Sequence, residues 1–468
     1  MKLFQRYIQM IVGTKDDDVR NIRAYQRLTW QEYQRTLKGA QSKGHRRRWI
    51  VTGSLMVIMF CGIAAVLGSF SSTAGSPPPP VVESPANLDP FITKNDVQIL
   101  LQNLNVEDLS AKQVLLPFKT QQIRVETSLD PDLQNHLLAS MDRKNSRYVG
   151  IVVMQADTGR ILAMAGFNKV HPEDNPCIKR TYPAASVFKI VTAAAAVDHC
   201  GYNADTPMRF NGYKHTLYKN QLKEKNNRYT NTLPLKDAFA QSVNPVFGKL
   251  GRIHLGKSVL EEYAIAFGFN QPIQFELPVA PSHMQIKDAP YNWAEVASGF
   301  NNTTTISPVH AAMMASAVLN NGRMVTPTIV DRIEDQNGQL IYQSRPTWRG
   351  RAMTTRASKV LGKLMERTVK AGTGRKTFRN YRRHPVLSKL MIGGKTGNIF
   401  NRAHDARYDW FVGFAQEKHG QGRLVFAAMV AHEEFIGIRA AQYARIAMTH
   451  YFKGYFAQHA ADKGTTGS

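Results

Sequence analysis

The chain has 468 residues, 20% of them charged and 43% hydrophobic, and carries a formal charge of +25. That composition is globular rather than disordered or fibrous, with apolar material for one large domain or two smaller ones. The charge calls for an anionic partner but does not choose among nucleic acid, anionic lipid and acidic polymer.

Residues 1–48 are rich in Lys and Arg and end on His45-Arg46-Arg47-Arg48. Residues 49–70, WIVTGSLMVIMFCGIAAVLGSF, contain no charged side chain. A helix of about 20 apolar residues spans a bilayer core. The positive-inside rule then places residues 1–48 in the cytoplasm and the rest of the chain outside, as expected for a single-pass membrane protein. A cleaved signal peptide would have a shorter apolar core, roughly 7–15 residues, and a buried soluble helix would have a polar face. The basic tail sets topology, and its partly amphipathic stretch around Ile22, Tyr25 and Leu28 offers a docking segment for another protein. An exported domain does not meet nucleic acid, so lipid headgroups and acidic polymers are the expected anions.

Residues 71–121 read as a stalk and juxtamembrane segment. A small-residue stretch, 71–76, precedes the polyproline spacer 77–80. A weak helical pattern follows around Val97, Leu100, Leu101 and Leu104. The main domain is expected over 122–452, with a C-terminal tail at 453–468. Asp130-Pro131 reads as a helix start, cap then first turn. Residues 148–167 place two apolar runs around Asp157-Thr158-Gly159, a hairpin signal. Helical patterns cover 186–198, 236–251, 258–267, 308–320, 355–371 and about 440–452. Strand-like runs recur at 390–394, 410–415 and 424–430. This order describes an α+β domain: an antiparallel sheet with strands from both ends of the domain, and a helical insertion between them. A cleft between sheet and insertion is the natural place for a site. Cys177 and Cys200 lie outside the membrane and are free to pair or to remain two buried thiols.

Three short motifs stand in this order. Ser186-Val187-Phe188-Lys189 opens the first helix of the insertion, with Ser186 and Lys189 on one face a turn apart. A hydroxyl needs a neighbouring base to become a nucleophile, and a lysine is a base only when burial or a second cation lowers its pKa. Alone, this pattern equally describes a capping serine and a surface lysine. Ser242-Val243-Asn244 precedes Pro245, which favours a turn there, and alone it equally describes a local cap. Lys395-Thr396-Gly397 closes the strand-like run LMIGG; its glycine lets a substrate backbone lie alongside.

As an ordered set, Ser-x-x-Lys, Ser-x-Asn and Lys-Thr-Gly resemble the transpeptidase domain of penicillin-binding proteins, within the serine DD-transpeptidase and β-lactamase superfamily. VETSLDPDLQ (125–134), RTYPAASVFK (180–189), ASGFNNTTTISPVHAAMMASAVLNNG (297–322) and YDWFVGFA (408–415) extend the resemblance over about residues 122–452. The resemblance implies a five-stranded antiparallel sheet flanked by helices, plus an all-helical lobe. It also implies cross-linking of peptidoglycan stem peptides ending in D-Ala-D-Ala, through an acyl-enzyme that β-lactams trap, with no cofactor and no metal. Ser186 is then the nucleophile, Lys189 its base and Ser242 the proton relay. Asn244 binds the substrate amide, Lys395 organises charge, and Thr396, Gly397 and Asn398 line the carboxylate end. The backbone N–H groups of Ser186 and Asn398 form the oxyanion hole.

Two departures from the family stand out. Ala184-Ala185 replace the usual Pro-Gly before the serine, and Asn398 stands where a Thr is usual. The stretch before residue 122 is too short for a glycosyltransferase domain. A DD-carboxypeptidase, a β-lactamase and a non-catalytic membrane sensor remain alternatives.

Overall fold

The Asp157-Thr158-Gly159 turn joins β1 (Ser146–Gln155) to β2 (Ile161–Asn168) in the computed structural model, which describes residues 93–102, 112–118 and 121–465. These belong to one unit, Leu88–Ser468. Residues 1–48, the apolar run 49–70 and the polyproline spacer lie outside the described residues. Among the described residues no helix is long and apolar enough to cross a membrane.

Three late strands, β3 (Leu390–Phe400), β4 (Arg407–Glu417) and β5 (Arg423–His432), complete a five-stranded antiparallel sheet of order β3-β4-β5-β1-β2. Helices cover both faces of this sheet, so its strands are apolar without a break rather than alternating. In β1, Val152 and Met154 belong to one core, whereas Val149, Ile151 and Val153 belong to the other. The first core holds the helical lobe, with α1 (Lys189–His199), α2 (Leu235–Ala240), α3 (Asn244–Lys249), α4 (Pro290–Ser298) and α5 (Pro308–Leu319). Helix α6 (Thr355–Ala371) leads back towards β3. On the opposite face lie Pro131–Ala139, capped by Asp130 Oδ1 accepting from Leu133 N at 3.1 Å, and α7 (Ala440–Thr465).

Several expectations are corrected. The helix expected over 236–251 breaks between α2 and α3, because Ser242 adopts φ 57°, a left-handed conformation that no helix interior accommodates. Lys395-Thr396-Gly397 does not end its strand. Pairing with β4 carries β3 on to Phe400, so the motif lies inside the ladder. Part of the segment assigned to the juxtamembrane region packs on the domain. Val97 and Leu101 of the helix Lys94–Leu101 are fully buried in the main core. The strand Gln113–Phe118 pairs with Gln121–Thr127 at the edge of a separate four-stranded sheet. Helix α7 continues to Thr465, through much of the expected tail. Cys177 and Cys200 are both free; Cys177 is buried, its thiol donating to Ala165 O at 3.3 Å.

Candidate active site

The turn that carries Ser186 is pinned from three sides. Trp410 Nε1 on β4 donates to Pro183 O at 2.9 Å, and Ala184 N donates to Thr304 O at 2.9 Å. Ala185 takes φ 47°, an uncommon conformation for a residue with a Cβ and one that concentrates at functional sites. Gly299, at φ 65°, presses on the same turn: a Cβ there would stand 1.8 Å from Ala185 O. Only glycine permits both that backbone and that approach. Ser186 lies in a short 3₁₀ turn, Ala185–Phe188, and Lys189 follows as the first residue of α1.

Lys189 is fully buried. Its Nζ lies 2.8 Å from Ser186 Oγ, 2.7 Å from Asn244 Oδ1 and 2.5 Å from Ser298 O. All three partners are uncharged. Burial, and secondarily the charge of Lys395, hold this amine well below the ordinary lysine pKa.

Lys395 is also fully buried, and its Nζ donates to Ser242 Oγ at 3.0 Å and Thr396 O at 2.8 Å. Burial pushes its pKa down to about 7. An aromatic ring walls each amine, Phe247 at 5.5 Å from Lys189 Nζ and Phe239 at 5.5 Å from Lys395 Nζ. Two serines, each within hydrogen-bond reach of its own depressed-pKa lysine, thus share one pocket.

The α2–α3 turn presents Ser242 and Asn244 together. Asn244 N donates to Lys214 O at 2.6 Å, and its Nδ2 donates to His215 O at 3.0 Å. One Nδ2 hydrogen is left for a ligand, since a carboxamide carries two. On the sheet side, Gly397 brings β3 against the nucleophile's turn: a Cβ there would lie 3.3 Å from Val187 and 3.4 Å from Ala184 O.

Ser186, Ser242 and Asn244 face Thr396, Gly397 and Asn398 across a cleft of about 500 Å³. Every motif residue singled out from the sequence therefore lies in or directly behind one cleft. Lys189 and Lys395 stand behind it, hydrogen-bonded to its two serines.

The cleft also holds residues that no motif signalled. Thr373 Oγ1 lies 2.5 Å from Thr396 Oγ1. Arg407 Nε donates to Asn398 Oδ1 at 2.9 Å, and Arg439 lines the same end. Burial, and then Arg439, lower the pKa of the Arg407 guanidinium, while Asp409 opposes the effect. His215 stands at the opposite wall, its pKa lowered by burial and by Lys189. Arg407 was within reach of the sequence, because antiparallel pairing of YDWFVGFA with the Lys-Thr-Gly strand sets Arg407 across from Phe400 and Asp409 across from Asn398. Arg439 and His215 come from distant segments and carry no local signal. Among the described residues no group of three or more His, Cys, Asp or Glu side chains is placed to hold a metal ion.

Comparison with known proteins agrees with this geometry. Residues 149–449 match the family model described as penicillin binding protein transpeptidase domain. "Penicillin-binding protein 4" of Bacillus subtilis is 26% identical over 300 residues, 62% of this chain and 42% of that protein. The chain spans less than half the length of the curated relatives it matches first.

Among solved structures, the D,D-transpeptidase domain of a peptidoglycan glycosyltransferase from Eggerthella lenta superposes with a TM-score of 0.59 at 24% identity. That match covers 71% of this chain and 83% of that one. Penicillin-binding protein A from Mycobacterium tuberculosis, solved as a ceftriaxone acyl-enzyme complex, gives 0.57 at 21% identity, covering 70% and 79%. These likenesses establish the fold, and the family match establishes membership: the chain belongs to the penicillin-binding protein transpeptidase domain family.

Proposed function

We propose that the chain is a serine D-Ala-D-Ala transpeptidase that cross-links peptidoglycan stem peptides on the outer side of the cytoplasmic membrane. The observation that carries this reading is the pair of buried amines, Lys189 and Lys395, each within hydrogen-bond distance of a serine hydroxyl opening on one cleft. Neutral Lys189 has two N–H groups for Asn244 Oδ1 and Ser298 O, and a lone pair for the Ser186 hydroxyl proton. As that proton moves to Lys189, Ser186 Oγ bonds to the penultimate D-Ala carbonyl carbon. The oxyanion forms between the backbone N–H groups of Ser186 and Asn398; losing one such donor typically costs ~10²–10³ in rate.

The C–N bond then breaks. Ser242, held by Lys395, passes a proton to the departing D-Ala amine, leaving an ester on Ser186. An acceptor amine attacks that ester, returns a proton through the same groups, and frees Ser186 with a new peptide bond. Lys395 and Thr396 receive the substrate's terminal carboxylate, and Asn244 offers its free Nδ2 hydrogen to the substrate amide. Asn398 supplies no hydroxyl, and its Oδ1 is engaged by Arg407. The cation there supports recognition of the same carboxylate by a different group.

A β-lactam enters the same path, and its ring-opened ester blocks Ser186. Residues 49–70 anchor the chain, and residues 1–48 are the segment through which cell-wall synthesis proteins would associate.

Labelled penicillin should acylate the full chain, and Ser186→Ala should abolish labelling. Persistent labelling of that variant removes the mechanism. A stem pentapeptide offered with and without an amine acceptor separates cross-linking from trimming to D-Ala and water. A sensor would acylate and turn over no peptide, and a β-lactamase would release the label rapidly.

A further inference from the structure

The segment between α6 and β3 forms the wall of a second recess, of about 770 Å³, lined by Lys370, Arg375, Lys376, Arg379, Arg382 and Arg383. The chain contains no acidic residue between Glu366 and Asp405. Lys370 pairs with Glu366; the other five cations are exposed and, among the described residues, form no ion pair. Like charges at this density repel, and no carboxylate among the described residues pairs with these five.

The segment that holds them is firmly built. Phe378 is buried and packs on Phe411 at 5.6 Å between ring centres. Val386 and Leu387 are also buried, and both of their backbone N–H groups donate to His384 Nδ1. Arg445 Nη1 on α7 donates to Thr377 O at 2.5 Å and to Arg379 O at 3.4 Å. The cations are therefore displayed from a fixed surface, and Phe378 and Tyr381 also line the recess.

The recess also adjoins the cleft. Thr377 lines the cleft, while its chain neighbours Lys376 and Phe378 line the recess.

We propose that this recess is a binding groove for a linear polyanion, a chain whose repeating units carry phosphate or carboxylate oxyanions, laid alongside the catalytic cleft. Guanidinium groups bind both oxyanions in a two-pronged geometry. Four arginines along one groove fit several anions in succession rather than a single ion. The cations line a recess rather than a flat face, which suits a slender chain. The inference does not depend on the acylation chemistry.

The test uses the full chain in neutral detergent, with fluorescent polyphosphate and fluorescent poly-L-glutamate as probes and anisotropy at near-physiological salt. Arg379→Glu/Arg382→Glu/Arg383→Glu should weaken binding at least tenfold and flatten its salt dependence, because fewer counterions are displaced. Lys223→Glu/Lys225→Glu/Arg228→Glu removes the same number of exposed charges from the helical lobe and should change binding less than twofold. Labelled-penicillin acylation should be unchanged in both. If the glutamate variant fails to acylate, Arg379→Gln/Arg382→Gln/Arg383→Gln replaces it, with a severalfold loss expected.

Groove-dependent binding of either polymer supports the proposal, and the tighter probe identifies the oxyanion. Equal losses in both triple variants would reduce the effect to net charge. No polymer binding, or groove-dependent binding only to phosphatidylglycerol vesicles, would overturn the proposal.

Discussion

Lys395 lowers the proton affinity of Lys189 while holding a different serine, so one cation both tunes its neighbour and steadies the Ser242 hydroxyl. The two buried amines therefore carry different tasks: one takes the nucleophile's proton and the other holds the second serine.

Acylation should therefore follow a bell-shaped pH profile. It requires neutral Lys189, so the rate falls as pH drops through that residue's depressed pKa. Carboxylate binding is served by protonated Lys395, so the rate also falls as pH rises past about 7. Lys395→Met should remove the alkaline limb. It should also move the acidic limb to higher pH, because Lys189 loses a neighbouring positive charge and binds its proton more tightly. The pH dependence of penicillin acylation measures both limbs, and an acidic limb that stays in place or moves down would refute the coupling.

The same substitution bears on stability with the opposite sign. The folded pKa of Lys395, about 7, lies below the ordinary lysine value of 10.5. Between those values the unfolded chain binds more protons, so this residue makes the fold more stable as pH rises from about 7 to 10.5. Below that window the cost of burying the charge is felt in full. Lys395→Met should thus unfold at a higher temperature than the parent at pH 7, with a gap that narrows by pH 10. Thermal midpoints across that range test this, and a constant or widening gap would contradict it.

Gly299→Ala should disable the site from a distance. The new methyl would collide with Ala185 O at a backbone φ of 65° that alanine rarely adopts. Relief requires the nucleophile's turn or the 298–300 segment to move, and Ser298 O would move with it, away from Lys189. Strain of this kind costs about 1–3 kcal/mol. Acylation should fall at least a hundredfold with only a modest loss of melting temperature. An alanine variant with normal acylation kinetics would show that the tight contact has no part in positioning Ser186.

Arg407→Ala should weaken ground-state binding of the donor carboxylate. A hydrogen bond to a charged group is worth about 1.5–3 kcal/mol, so KM for a donor with a free C-terminal carboxylate should rise roughly 10- to 150-fold, with kcat little changed. A donor with an amidated C-terminus should show no difference between the variant and its parent. An equal effect on both donors would mean that Arg407 acts only by fixing Asn398.

Much of the site was legible because its chemistry is carried by short, ordered motifs. Ser186 and Lys189 are a helical turn apart, and Gly397 marks the place where the strand passes close to that turn. The geometry that assembles them was not legible. Pro245 signals a turn at Ser242–Asn244, but the positive φ of Ser242 that splits the 236–251 run in two has no signal of its own. The strand Gln113–Phe118 reads as a linker, because its pairing with Gln121–Thr127 gains value only when Val330–Glu334 arrives on the other side. Arg439 and His215 escaped notice because what they share is a cleft, not a sequence interval.

The order of strands in the sheet governs how the chain can be made. β1 and β2 emerge early, but the neighbour of β1 is β5, near the far end. At about 5–20 residues per second, synthesis from Asn168 to Arg423 takes on the order of ten to fifty seconds. Throughout that interval β1 waits with one flank unpaired, an invitation to neighbouring chains. Until Arg423–His432 has been delivered, β3 and β4 cannot join the early hairpin in one sheet, so a chain truncated before β5 should be caught by quality-control proteases rather than persist as a partial enzyme.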